Sequence, residues 1–165
     1  MGAQIWGELT QGFATVPFWV AATRILAALV LSGLIGAERE WRARPAGLRT
    51  HMLVSLAACL YVIVATEIVS LDVLGAGDNL RVDPMNLIGA VTAGVAFLVA
   101  GIIIVSGGKV KNVTTGASLW LAGAIGLAAG AGQIALAALA TAFVLVVLTI
   151  LGLFSRSDDA ESLGG

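Results

Sequence analysis

The chain has 165 residues, of which 59% are hydrophobic and 12% are charged, and its mean hydropathy is +1.00. These values exclude an ordinary soluble globular domain and predict a membrane protein. The formal net charge of −1 gives no electrostatic reason for a nucleic-acid partner. The single cysteine, Cys59, excludes an intrachain disulfide.

Five apolar segments follow one another, each near the roughly 20 residues that a helix needs to cross a bilayer. They cover residues 17–37, 52–71, 85–105, 113–131 and 133–154. The start of the chain lacks the basic residues and the cleavage site of a signal peptide. We therefore predict an all-α bundle of five transmembrane helices over residues 17–154. An external segment, 1–16, precedes it, and a short cytoplasmic tail, 155–165, follows it.

Basic residues are concentrated in alternate connections between these segments. Four arginines lie in the connection 38–51, two lysines at 109 and 111, and Arg156 in the tail. The opposite side carries only Arg81, beside Asp72, Asp78 and Asp83. Because cytoplasmic loops are enriched in Lys and Arg, we predict an external N-terminus and an internal C-terminus.

The first connection, EREWRARPAGLRTH (residues 38–51), mixes acids with arginines. Arginines beside a membrane are commonly topogenic and bind anionic lipid, each worth about 1 kcal/mol. The two acids and the Pro-Ala-Gly turn also allow a structured polar site. In this site Glu38 interacts with Arg49, and Arg39 or His51 lies close by. The candidate residues of this corner are Glu38, Arg39, Glu40, Arg49, Thr50 and His51.

His51 is the only histidine, and no second His or Cys gives the spacing of a zinc site. Interfacial hydrogen bonding is therefore favoured over metal binding for this side chain. The acids Asp72, Asp78 and Asp83 could offer oxygen ligands to magnesium, but a solvated loop explains them as well. We predict no metal ligand and no cofactor.

Arg24 is a polar intruder in the first segment. It lies fourteen positions before Glu38, which is a rotation of about 1400° along a helix. Because this is only about 40° short of four full turns, the two residues share a face. An arginine inside a membrane usually finds a partner, and Glu67 and Asp72 reach the same outer half from the second segment. Snorkelling of Arg24 to the outer surface is the alternative.

The third and fourth segments carry a packing pattern. Small residues line one face of the fourth, namely Thr115, Ser118, Ala122, Gly126 and Gly130, and this spacing permits close helix contact. A comparable stripe on the third consists of Asn86, Ala90, Ala93, Phe97 and Ala100. The two helices pack on each other or on a second copy of the chain. A dimer through these faces and purely intramolecular packing both remain open.

Several motifs resemble the membrane domain of the MgtC/SapB proteins of bacteria. They are GLIGAERE (33–40), AGLRTHMLVSLAA (46–58), the approach to the third helix at 78–81, and VTTGASLWLAGAIGLAAGAG (113–132). The chain departs from the family at GVAFLVAG (94–101), which stands where a more Gly-rich run is usual, and at VTTGAS, which replaces an LTTAA-like run. The resemblance covers most of residues 20–150.

The resemblance implies a cytoplasmic-membrane protein linked to growth at low magnesium and, in pathogens, to survival inside host cells. It adds Arg81 to the polar cluster that already holds Arg24 and Glu67. Many members carry a small soluble domain after the fifth helix, and the membrane domain of this chain is expected to act without one.

Two functional hypotheses follow, and neither is an enzyme, because no nucleophile with a base, no phosphate loop and no paired carboxylates are found. The first is a modulator that acts through helix contacts on another membrane complex, with the F-type ATP synthase as the target that the resemblance implies. The second is a transporter or channel for a cation or small solute. The expected partners are membrane lipid, a second copy of the chain and such a complex.

Overall fold

The computed structural model describes residues 15–70, 83–106 and 109–161, with side chains described at all of these except 70, 106 and 151–161. Five α-helices make up nearly all of it. They are α1 (Phe18–Trp41), α2 (Leu48–Ser70), α3 (Pro84–Ile102), α4 (Val113–Gly130) and α5 (Ile134–Glu161). The predicted all-α bundle of five helices is thereby confirmed. Arg81, Asp72, Asp78 and residues 1–14 and 162–165 lie outside the described residues.

A short β-hairpin, which the sequence did not predict, joins α3 to α4. Strand β1 (Ile104–Ser106) pairs antiparallel with β2 (Lys109–Lys111), and Val105 lies opposite Val110. The hairpin replaces the last part of the predicted third helix.

Helices α1 to α4 are each long and apolar enough to cross a membrane, over 18–41, 48–69, 84–102 and 113–130. The apolar part of α5, Ile134–Ile150, is shorter by this measure. At 1.5 Å per residue its length is about 25 Å, close to the roughly 30 Å thickness of the hydrocarbon layer. The chain is therefore a polytopic helical membrane protein.

Local residues explain where the helices begin and end. Pro17 precedes α1, and its carbonyl accepts from the N–H groups of Val20 and Ala21. Asp83 caps α3, because its Oδ1 accepts from Met85 N at 2.9 Å while Pro84 occupies the first turn. Gly132, at φ +82°, turns the chain from α4 into α5.

Helix α4 lies at the centre and packs against all four other helices. Of the apolar residues with which α4 could cross the membrane, 56% are buried inside the bundle, whereas the corresponding share for α3 is 11%. Its closest neighbour is α2, because Gly126 allows backbone contact there. A Cβ atom at Gly126 would overlap the Ser55 carbonyl group, lying 2.8 Å from its carbon. The core of the bundle is therefore the α2–α4 seam.

Helix α3 lies at the edge and contacts α4 through Val91, Val95 and Val99. The two helices pack on each other, which is one of the two predicted arrangements, but the stripe predicted on α3 does not face α4. Asn86, Ala90, Ala93, Phe97 and Ala100 are all exposed. The face that α3 turns to α4 is a valine ridge, one residue every turn.

Candidate functional site

The candidate site is the polar corner where α1 ends and α2 begins. Helix α1 approaches α2 closely at Gly36, where a Cβ atom would lie 2.7 Å from Leu48 Cα. The connecting residues fold back on α1, since Arg44 N donates to Arg39 O at 3.0 Å. The end of α1 is thereby held against the first turn of α2.

Glu38 is the acid at the centre of this corner. It forms an ion pair with Arg42, one turn later on the same helix, and its Oε2 lies 3.6 Å from Nη1 of Arg39. The side chains of Glu38 and Arg39 are only 10% and 4% exposed, whereas Arg42 is 25% exposed. Both carboxylate oxygens make these contacts without hydrogen-bond geometry, and Arg39 Nε has no hydrogen-bond partner in the described part of the chain. Glu38 is thus the counter-charge of a buried guanidinium.

The expected interaction between Glu38 and Arg49 is wrong. Arg49 is exposed, and the carboxylate that reaches α2 belongs to Glu40, whose Oε2 accepts from Leu48 N at 2.8 Å. This bond satisfies an otherwise unpaired N–H group in the first turn of α2 and places an acid at its positive end. Thr50, also in the first turn of α2, is half-buried. Glu40 therefore joins the two helix ends in the way that was expected of Glu38.

His51 is fully buried between α2 and α4. Its Nδ1 lies 2.9 Å from the Gly47 carbonyl oxygen, and its Nε2 lies 3.0 Å from Ser118 Oγ. The carbonyl can only accept, so Nδ1 carries a proton. Both ring nitrogens are used in hydrogen bonds, which leaves neither of them free for a metal.

The hydrogen bonds of His51 to Gly47 and Ser118 should stabilise the contact between α2 and α4. The change His51→Phe keeps the ring volume but removes both imidazole hydrogen bonds, to the Gly47 carbonyl and to Ser118 Oγ, so we expect it to cost about 1–3 kcal/mol of unfolding free energy. The change Ser118→Ala should cost less in the His51→Phe background than in the wild type. Unfolding in mixed detergent micelles measures both. Equal costs of Ser118→Ala in the two backgrounds would show that the two side chains are not coupled.

At the other end of the bundle, Arg24 and Glu67 bind backbone groups. Arg24 Nη1 donates to the Gly130 carbonyl oxygen at 2.8 Å, at the end of α4. Glu67 accepts from Val16 N at 2.7 Å and from Thr15 N at 3.2 Å, next to the start of α1. Of the two acids expected as partners of Arg24, Glu67 thus binds backbone N–H groups instead, and Asp72 lies outside the described residues. A cation at a helix C-terminus and an acid at an N-terminus each complement the helix dipole.

The small-residue stripe of α4 faces the interior of the same chain. Thr115, Ser118 and Ala122 are buried, and Gly126 and Gly130 lie against the backbone of α2 at Ser55 and Cys59. The stripe is therefore covered by α2 and offers no surface for a second copy. Self-association through the exposed face of α3 stays a prediction.

Two hydrogen-bonded contacts between α1 and α2 were not predicted from the sequence, one made by Ser55 and the other by Glu40. Ser55 on α2 donates to the Ala28 carbonyl of α1 at 3.1 Å and so joins the two helices, while Ser32 donates to the same carbonyl from within α1 at 2.6 Å. Their spacing is invisible without the register of the two helices. Glu40 was among the candidate residues, but its role as a cap depends on the start of α2 at Leu48, which hydropathy did not locate.

In the described residues no three His, Cys, Asp or Glu side chains come together in a metal-binding group. The fold and the corner define a class: an all-α polytopic membrane protein whose charged side chains secure helix ends. Comparison with known proteins narrows this class. The chain belongs to the MgtC family, whose model matches residues 25–157.

Curated relatives agree with this assignment. Protein MgtC of Brucella abortus is 38% identical over 135 residues, covering 82% of this chain and 52% of that protein. A protein of Haemophilus influenzae described as uncharacterized is 34% identical over 159 residues, covering 86% of this chain and 66% of its own length. The putative magnesium transporter YhiD of Escherichia coli K12 is 34% identical over 131 residues, covering 77% and 58%. This chain spans about half to two thirds of these relatives, and no solved structure matches it.

Proposed function

We propose that this protein is a non-enzymatic modulator in the cytoplasmic membrane, which contributes to adaptation to low magnesium by binding a transmembrane helix of another membrane complex. The observation that carries the proposal is a groove between α2 and α3. Helix α3 is held by α4 and scarcely touches α2, so a cavity of about 470 Å³ opens between them.

The walls of this groove suit a helix. They are apolar and contain several small residues, which let two helix backbones approach each other and gain van der Waals contact. The lining residues are Val54, Ala57, Ala58, Tyr61, Leu87, Ala90, Val91, Gly94, Val95 and Leu98. Gly94 has no atom within 4 Å of a built Cβ, so the wall there is open to an incoming helix.

The charged side chains also favour a modulator over a conduit. Of the acids whose side chains the structure describes, Glu38, Glu40, Glu67 and Asp83 all lie near helix ends. A magnesium pathway needs successive oxygen ligands for an ion that gives up its water reluctantly. The name of the Escherichia coli relative supports a magnesium transporter as the second candidate, and measurement of magnesium entry into liposomes separates the two.

The F-type ATP synthase is the target that the family resemblance implies, and inverted membrane vesicles test it. We expect the wild-type protein to reduce ATP-driven proton pumping. The change Gly94→Leu fills the groove and should weaken this effect on the order of tenfold, because overpacking costs about 1–3 kcal/mol.

Gly89→Leu is the matched control, since Gly89 lies on the same helix in open space but does not line the groove. It should behave like the wild type. Unchanged pumping with the wild-type protein would reject the ATP synthase as target. Equal effects of the two leucine variants would reject the groove.

A further inference from the structure

A second cavity lies at the end of the bundle where α1 and α5 begin and α4 ends. It has a volume of about 350 Å³ and is lined by Trp19, Val20, Thr23, Arg24, Gly132 and Ile134. We propose that this cavity binds the phosphate group of a membrane phospholipid. The proposal goes beyond the modulator function and does not depend on it.

Arg24 supplies the charge of this site. Its guanidinium has five N–H donors, and the hydrogen bond that the structure gives it, to the Gly130 carbonyl, uses one of them. No acid in the described part of the chain forms an ion pair with it. The guanidinium lies close to Gly132, where a Cβ atom would come within 3.0 Å of Nη2, so the glycine leaves room for Arg24 at the cavity. An arginine fork with free donors matches the oxygens of a phosphate group.

The depth of the site suits a lipid headgroup. Arg24 bonds to the last residue of α4, and the turn that follows, residues 131–133, is exposed. The guanidinium therefore lies at the level of the helix ends, where the polar headgroup region begins. Trp19 is 78% exposed and lies more than one turn nearer to the start of α1 than Arg24 does. Tryptophan is enriched at this interface.

The remaining lining residues fit the other parts of a phospholipid. Val20 and Ile134 offer an apolar wall to the upper acyl chains. The Thr23 hydroxyl, which donates to the Trp19 carbonyl at 2.8 Å, keeps its lone pairs for a glycerol or headgroup hydroxyl. The first turn of α5 contains no acid that would repel the phosphate.

Native mass spectrometry of the purified protein titrated with phosphatidylglycerol tests the proposal. We expect Arg24→Gln to weaken binding of the first lipid about tenfold, as loss of a charge-assisted hydrogen bond implies. Ile134→Glu should weaken it similarly while leaving the Arg24–Gly130 bond in place, and an acid at a helix start supports folding. Arg49→Gln is the control, because it removes the same charge from an exposed position at the opposite end.

The outcomes separate the sources of phosphate. Unaltered binding by Arg24→Gln and Ile134→Glu, or an equal loss in Arg49→Gln, would overturn the site. Binding of inorganic phosphate at the affinity of the lipid would replace the lipid by a soluble anion and likewise overturn the proposal. Folding of every variant is checked by its size-exclusion profile, and Ile134→Glu carries the test if Arg24→Gln does not fold.

Discussion

The change Gly126→Leu is expected to abolish folding of the bundle, and Gly126→Ala to cost at least about 3 kcal/mol of unfolding free energy. A Cβ atom at this position would overlap the Ser55 carbonyl and lie 2.9 Å from Ala58 Cβ. The obstacle is backbone rather than a flexible side chain, so relief requires α2 and α4 to separate. Loss of that seam would expose the buried hydrogen bonds at His51 and Ser55.

Gly94→Ala provides the matched control for this prediction. Gly94 also lies within a helix, but a built Cβ atom there meets nothing within 4 Å. Alanine has the higher helix propensity by up to about 1 kcal/mol, so this variant should be as stable as the wild type or slightly more stable. Fluorescence-detected size exclusion and unfolding in mixed micelles measure both variants. A stable, monodisperse Gly126→Leu protein would show that α2 and α4 do not touch at this point.

The second large effect is expected at Glu38. The change Glu38→Ala removes the counter-charge of Arg39 and Arg42, and leaving a buried charge without its partner costs about 3–5 kcal/mol. Arg42→Ala should cost less, because that side chain is partly exposed. In the double variant the costs should fall short of their sum by at least about 1 kcal/mol.

Arg49 is the control for the Glu38 cycle. Because Arg49 is exposed, Arg49→Ala should change the unfolding free energy by less than about 0.5 kcal/mol and add independently to Glu38→Ala. The same mixed-micelle titration measures this cycle. Coupling of Glu38 with Arg49 and additivity with Arg42 would contradict the ion pairs that the structure places in the corner.

The comparison of Arg49 with His51 explains why the corner was only partly predictable. Hydropathy placed the second helix from residue 52, but the helix begins at Leu48, so both residues belong to its first turns. Residues that are two positions apart in a helix point in directions about 200° apart. Once His51 faces α4, Arg49 must face away from the bundle. The residues of the corner could be found from the sequence, but their pairing required the start of the helix.

Helix α3 illustrates a different limit. Its face toward α4 is formed by Val91, Val95 and Val99, although small residues on other faces of the helix had been favoured. In a membrane an apolar side chain has a similar free energy in lipid and in the protein interior. Hydropathy therefore does not indicate which face of a uniformly apolar helix is buried. On α4 the stripe of small and hydroxyl residues does carry a direction, and the structure places it in the core.

Arg24 shows that a charge does not identify its partner. A carboxylate on the second helix was expected, and the partner is the carbonyl at the end of α4. Backbone groups at helix ends are invisible in a residue pattern until the end itself is located. The turn at Gly132 marks that end only after its positive φ is known.

We infer that the bundle acts through contacts with another membrane complex and does not conduct magnesium across the membrane. Purified protein in sealed liposomes that contain a magnesium-sensitive dye tests this claim most directly, with dye-loaded liposomes lacking protein as the baseline. We expect magnesium to enter at the baseline rate with the wild-type protein. Entry well above the baseline that is lost in a folded Glu67→Gln variant would contradict it and assign this protein to the transporters.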